Sequence, residues 1–280
     1  MNNMDIKTID FKSISASNQI VQSLKHTGFA ILRNHGIDKK LIHDVYKEWS
    51  LFFNSKDKFN YEFDLIKQDG YFPMKSENAK GYNVKDLKEF YHIYVPWGRV
   101  PKNISNNTLK LRNELKEIGV ILLEYIFKHT PSEISEGFSM PLNKMINKSQ
   151  NNLLRVIHYP PLEGNEEEGA IRAAPHEDIN LITILLTGSE SGLQVLSKEN
   201  KWIDVKSDTG WLVINIGDML QECSAGYYPS TTHRVINPIS KNVSRYSMPL
   251  FLHPRDEVVL SDRYTAKSYL EERLKQLGLK

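Results

Sequence analysis

The chain has 280 residues, 40% hydrophobic and 25% charged, with 36 Lys and Arg against 34 Asp and Glu for a net charge of +2. That balance excludes nucleic-acid or membrane binding driven by bulk charge, and 10% aromatic residues exclude a disordered chain. At about 150 residues per domain the length suggests roughly two domains, although one large β-barrel or sandwich fits as well.

The first residues, MNNMDIKTIDFKS, lack a basic stretch followed by an apolar core, so no secretory signal is expected. The most apolar stretches, 118–127 and 181–187, are too short or interrupted to span a membrane, and a cytoplasmic location is expected. Ile20 to Lys25 begins a short helix, and Gly28-Phe-Ala-Ile-Leu-Arg33 reads as a buried strand closed by Asn34-His-Gly36. Asp38 is the expected N-cap of a helix through Phe52, on which Leu41, Ile42, Val45, Trp49 and Phe53 recur at helical spacing. Gly70 to Gly81 reads as a loop, Glu89–Val95 as a strand ending at Pro96, and Asn107–His129 as a long helix. From Asn152 the pattern changes to eight short, turn-separated β segments: 153–159, 181–186, 193–196, 202–205, 211–216, 232–236, 246–251 and 258–260. That spacing predicts a sandwich, jelly roll or barrel. The amphipathic tail 267–277 is expected to pack on the outside of the sheets. The expected organisation is an N-terminal mixed segment (1–105), a long helix and connector (106–150), a β core (151–255) and a C-terminal strand and helix (256–280).

The single cysteine, Cys223, excludes an intramolecular disulfide framework and a cysteine-rich zinc module. A metal would have to be held by His, Asp and Glu. Nine histidines among 34 acids will yield a His-x-acid spacing by chance, so His176-Glu-Asp178 alone carries no weight. Context raises it. On a strand, residues i and i+2 share a face, and His233, on a separate β segment, would complete a 2-His-1-carboxylate triad. Such a triad leaves adjacent coordination positions open and suits non-haem Fe(II) oxygenases. Arg245-Tyr-Ser247 repeats the i, i+2 pattern and sets a guanidinium fork beside a hydroxyl, well suited to a carboxylate. Arg172 is a candidate for an acidic group on the substrate. His35, Asp218 and Cys223 read as structural, His92 as sheet packing in a segment that could also line the substrate mouth, and His158 as either core or a neighbour of the site.

The ordered set of motifs resembles the isopenicillin N synthase-like branch of the iron(II)- and 2-oxoglutarate-dependent dioxygenases, in a bacterial-type subgroup. Thr27-Gly-Phe-Ala-Ile-Leu-Arg-Asn-His-Gly-Ile37 is similar to the family's "GFF…NHGI" segment, and Leu154-Arg-Val-Ile-His-Tyr-Pro-Pro161 to its "R…YYPP" strand. Gly192-Leu-Gln-Val195, Trp202, Val213-Ile-Asn-Ile-Gly-Asp218, Ser230-Thr-Thr-His-Arg-Val235 and Arg245-Tyr-Ser247 follow in family order. The resemblance implies a mainly β fold with flanking helices, a double-stranded β-helix or distorted jelly roll. It implies Fe(II) held by His176, Asp178 and His233, and 2-oxoglutarate held by Arg245, Ser247 and Tyr159. O2 would be the oxidant, succinate and CO2 the co-products, and a small molecule the substrate, hydroxylated, desaturated or cyclised and possibly an amino-acid-derived carboxylate. Glu177 stands where many plant members carry Thr, and Ile157 and His158 where the family strand carries Asn and Tyr, which argues against plant-type substrates such as flavonoids. Asp178 argues against a halogenase. An oxidase that works without 2-oxoglutarate, a non-catalytic jelly-roll binding protein and a zinc hydrolase remain alternatives, and a monomer is compatible with the sequence.

Overall fold

A computed structural model describes residues 6–276 except 80, 189, 207 and 240. The apolar stripe after Asp38 folds as α2 (Lys39–Asn54), with the Asp38 side chain accepting from the Lys40 amide at 2.9 Å and Val45, Trp49 and Phe52 fully buried. The second long stripe becomes α3 (Asn107–His129), whose Leu111, Leu115, Leu122 and Ile126 face the core. Gly119 lets α3 lie close on the sheet, since a Cβ there would sit 2.2 Å from Leu252 Cδ1. Helix α1 (Ala16–Thr27) packs on α3 and ends at Gly28, whose φ of 72° is the left-handed conformation that closes many helices.

Among the described residues the larger sheet has eight strands in the order β1 (Thr8–Asp10), β2 (Phe29–Arg33), β10 (Leu212–Ile216), β7 (Ile182–Thr187), β12 (Arg245–Leu252), β5 (Leu153–Tyr159), β4 (Glu89–Tyr94) and β3 (Gly70–Phe72). The smaller sheet runs β6 (Ala173–His176), β11 (His233–Val235), β8 (Leu193–Leu196) and β9 (Trp202–Asp204). One face of the large sheet is covered by the helices, in a core that joins Trp49, Leu115, Ile184 and Leu250. Its other face meets the small sheet, with Phe29, Ile157 and Val213 packed near Val195 and Val235. Two facing sheets with helical cover are the distorted jelly roll expected from the sequence. Strands from the N-terminal hundred residues thus extend the same sheet as the core strands.

Several elements differ from the expected ones. Within the stretch read as a loop, Gly70–Phe72 pairs with β4. Strand β1, three residues long and parallel to β2, is too short to show a period of two. Strand β6 contains Pro175, which interrupts its pattern and confines it to an edge of its sheet. In the 258–260 segment Val259 makes an isolated bridge to Thr265 rather than a strand. Beyond the short helices α4 (Ser132–Ser135), α5 (Leu142–Met145) and α6 (Asp218–Cys223), helix α7 (Ala266–Gln276) forms as expected, but it also walls the cavity described below; position 277 lies outside the described residues.

Trp49 joins the two long helices, its indole N–H donating to Thr108 Oγ1 at 3.0 Å. Replacing it with Ala should cost about 3–5 kcal/mol, and Thr108→Val, which leaves the buried N–H without its acceptor, about 1–3 kcal/mol. Urea unfolding of the two variants against wild type checks both values.

Candidate active site

Strand pairing builds the centre of the site. Strands β6 and β11 run antiparallel with His176 directly opposite His233, so the two imidazoles meet at 4.4 Å between ring centroids. Strand β6 ends at His176, and Asp178 lies in the turn beyond it rather than on a continuing strand face. The turn brings the carboxylate back: Asp178 Oδ1 is 4.0 Å from His176 Nε2 and 3.9 Å from His233 Nε2. One ligand atom from each of the three side chains lies within 4.8 Å of the other two. The turn itself is held by the Asp218 amide, which donates to Asp178 O at 2.7 Å, and by Gly217, where a Cβ would sit 2.2 Å from Asn180 O.

Each group is presented in the form a metal needs. His176 Nδ1 lies 2.7 Å from Ala174 O and His233 Nδ1 3.1 Å from Thr231 O. Carbonyls can only accept, so both rings carry the proton on Nδ1 and leave the Nε2 lone pair facing Asp178. Burial, and then the neighbouring His233, lower the His176 pKa to about 4, which keeps it neutral near pH 7. Asp178 Oδ2 accepts from Thr183 Oγ1 at 2.5 Å and Asn215 Nδ2 at 2.8 Å, leaving Oδ1 toward the histidines. Burial alone would raise the Asp178 pKa; His233, His176 and these hydrogen bonds outweigh it and hold the carboxyl below its ordinary range. Two imidazoles that turn Nε2 toward one anchored carboxylate fit a divalent iron ion.

The triad borders a cavity of about 460 Å³ between the sheets. Arg245 pairs with Tyr159 and Ser247 with Ile157 across β12 and β5, and the side chains of all four line the cavity. The buried Arg245 guanidinium lies 5.0 Å from the Tyr159 ring centroid and donates to Ser247 Oγ at 3.4 Å and Glu190 O at 3.3 Å. Arg172 does not line the cavity. It is buried outside it, donating to Val243 O at 2.8 Å and Pro160 O at 3.5 Å. Glu177 accepts from Thr232 Oγ1 and so ties the turn after β6 to the segment before β11. His158 sits in the core, stacked on Tyr246 at 4.6 Å and bonded to Glu89 and Ser244. His35 binds Gly210 O and Cys223 is buried, both structural as expected. Asp218 begins a short helix and pairs with Arg273 of α7 at 2.8 Å.

Comparison with known proteins agrees with this geometry. Residues 150–254 match the 2OG-Fe(II) oxygenase superfamily, and residues 6–115 match the segment described as "non-haem dioxygenase in morphine synthesis N-terminal". A candidate oxygenase of solved structure from Shewanella oneidensis is 51% identical with a TM-score of 0.89, over 99% of this chain and 100% of that one. The chain belongs to this superfamily. It is 30% identical to the Arabidopsis thaliana protein DOWNY MILDEW RESISTANCE 6, over 92% of this chain and 76% of that protein. It is also 28% identical to the flavonol synthase/flavanone 3-hydroxylase of Petunia hybrida, over 85% of this chain and 69% of that enzyme. The protein is an Fe(II)- and 2-oxoglutarate-dependent oxygenase with the double-stranded β-helix fold, and no helix among its described residues is long and apolar enough to cross a membrane.

This oxygenase has a second polar wall that sequence reasoning missed. Arg155 donates to both carboxylate oxygens of Glu77, at 3.1 and 3.3 Å, and from Nε to His92 at 2.7 Å. Lys88 bridges Glu77 and Asp86, each at 2.8 Å. One signal was available: Arg155, Ile157 and Tyr159 alternate along β5, so the face that carries Tyr159 must carry Arg155 as well. His92, expected to pack in the sheet or to line the substrate mouth, is in β4 and lines this wall, and burial followed by Arg155 keeps its pKa well below the ordinary range.

Burial would raise the Glu77 carboxyl, but Arg155 and Lys88 outweigh it and hold its pKa far below the ordinary 4.5. Its stabilising contribution is therefore complete above pH 4.5 and is lost as the pH falls toward the depressed value. Glu77→Gln should lower the urea midpoint at neutral pH, and the gap to wild type should narrow below pH 4.5. A gap that stays constant or widens on acidification would contradict the assignment.

Proposed function

We propose that His176, Asp178 and His233 hold the Fe(II) of this oxygenase, and that Arg245, Ser247 and Tyr159 hold the distal carboxylate of 2-oxoglutarate. The observation that carries this reading is the meeting of three ligand atoms within 4.8 Å at the edge of the cavity that Arg245 also lines. Bound there, the iron supplies the activation of O2 that accompanies decarboxylation of 2-oxoglutarate to succinate and CO2. The protein's own part is presentation and exclusion. The two Nε2 atoms and Asp178 Oδ1 would hold the metal at the edge of the cavity that would take the keto-acid. Arg245 offers a carboxylate two parallel N–H donors from a buried position, where such pairing is strong. The sheets bury Asp178 and His233, each 8% exposed, which shields that side of the site from water.

The substrate is a small molecule that occupies the part of the cavity lined by His92, Tyr94, Leu153, Phe251 and Leu270. The 51% identity to the Shewanella oneidensis protein, with coverage of both whole chains, supports a bacterial-type subgroup. A reducing, cytoplasmic setting suits an Fe(II) centre and the free thiol of Cys223.

His176→Ala, Asp178→Ala and His233→Ala should each abolish Fe(II)-dependent formation of succinate from 2-oxoglutarate, and substantial turnover in two of them would refute the triad. Arg245→Ala should raise the KM for 2-oxoglutarate by about 30-fold or more, as expected when one partner of a buried charged pair is removed. Its Fe(II) affinity should change far less.

A further inference from the structure

If His176 is an iron ligand, as proposed above, something must fix it, because it ends a four-residue strand at the edge of the small sheet. One side of β6 is laddered to β11. The other side is fastened by a side chain: Asp86 Oδ1 accepts from the Ala174 amide at 2.9 Å. The carbonyl of that same residue, Ala174, receives His176 Nδ1 at 2.7 Å. Both polar groups of Ala174 are therefore engaged, one by a buried carboxylate and one by the metal-facing imidazole. The second oxygen of Asp86 takes Lys88 Nζ at 2.8 Å, and Lys88 in turn holds Glu77, the partner of Arg155 on the cavity wall. Asp86 and Lys88 are 4% and 6% exposed, so neither is a loose surface group whose pairing solvent would weaken.

We propose that Asp86 is a positioning residue for the metal centre, acting through the Ala174 amide to fix the carbonyl that orients His176. Lys88 joins this support to the wall formed by Glu77 and Arg155, so the wall that faces substrate and the strand that carries the ligand share one ionic chain. Groups that orient a metal-bound imidazole through its second nitrogen are worth about 10–100-fold in metal affinity. Asp86 stands one step further out, yet the step between is a single backbone residue.

The test is a Co(II) titration of the full chain, followed by the visible absorption of the bound ion, alongside thermal unfolding without metal. Asp86→Ala should weaken Co(II) about tenfold or more and alter the band shape, whereas Asp86→Asn, which retains an oxygen acceptor for the Ala174 amide, should stay within about threefold of wild type. Lys58→Met provides a control for stability alone. It removes the 2.8 Å pair between Lys58 and Glu89, the first residue of β4, and should lower the melting temperature without moving Co(II) affinity. Should Asp86→Ala fail to fold, Asp86→Ser takes its place with the same expectation, since its hydroxyl stops one atom short of the amide. His176→Ala separates the two readings: if it binds Co(II) like wild type, the ligand assignment fails. If it loses Co(II) while Asp86→Ala or Asp86→Ser keeps wild-type affinity, or if Asp86→Asn is as weak as either, the positioning role is overturned.

Discussion

The pairing of β6 with β11 is the constraint on which the rest of the site depends. It sets His176 opposite His233, and without that register two residues 57 positions apart could not offer ligands to the one metal proposed here. The pairing is short, so its precision has to come from outside the ladder. The turn after His176 is clamped by the Asp218 amide and by close packing at Gly217, and the strand's free side by Asp86. Asp178 reaches the histidines only because that turn is closed. A short edge element stiffened by its neighbours gives a more exact geometry than a loop could.

The cavity is a consequence of alternation on the large sheet. Every second residue of β5 and β12 faces the small sheet, so Tyr159 and Arg155 come from one strand and Arg245, Ser247 and Phe251 from another. That grid separates three tasks. The triad approaches from the small sheet, the Arg245 end offers a cation for a keto-acid, and the Arg155 wall offers charges that already satisfy one another. Lys88 and Arg155 meet Glu77 and Asp86, and Arg273 meets Asp218. An added carboxylate would find a ready counter-ion at Arg245 but would have to displace Glu77 at Arg155. This difference favours Arg245 as the keto-acid site proposed above.

Much of the site was legible because its chemistry is local in sequence. His176 and Asp178 are two residues apart, Arg245 and Ser247 likewise, and the long helices announce themselves through Asp38 and the stripes that follow it. Periodicity did less well where elements are short. Strands of three or four residues, such as β1, β3 and β6, do not establish a period, and Pro175 breaks the one that carries a ligand. Arg172 shows the other weakness. Its spacing from His176 suggested a shared cavity, but only the folded chain reveals that its Nη2 turns away to the carbonyls of Val243 and Pro160. The Glu77–Lys88–Asp86 chain draws its members from a loop and a strand entrance and has no fixed spacing to betray it. Thr183 and Asn215, which hold Asp178 from two different strands, were hidden for the same reason.

The central claim is that one cavity holds the metal on the triad and the keto-acid on Arg245. A crystal structure of the protein with Fe(II) and 2-oxoglutarate, prepared without oxygen, tests it directly. The account predicts a metal bonded to His176, His233 and Asp178, with the distal carboxylate on Arg245 and Ser247. A metal bound elsewhere, or the carboxylate seated on Arg155 and Lys88, would contradict it.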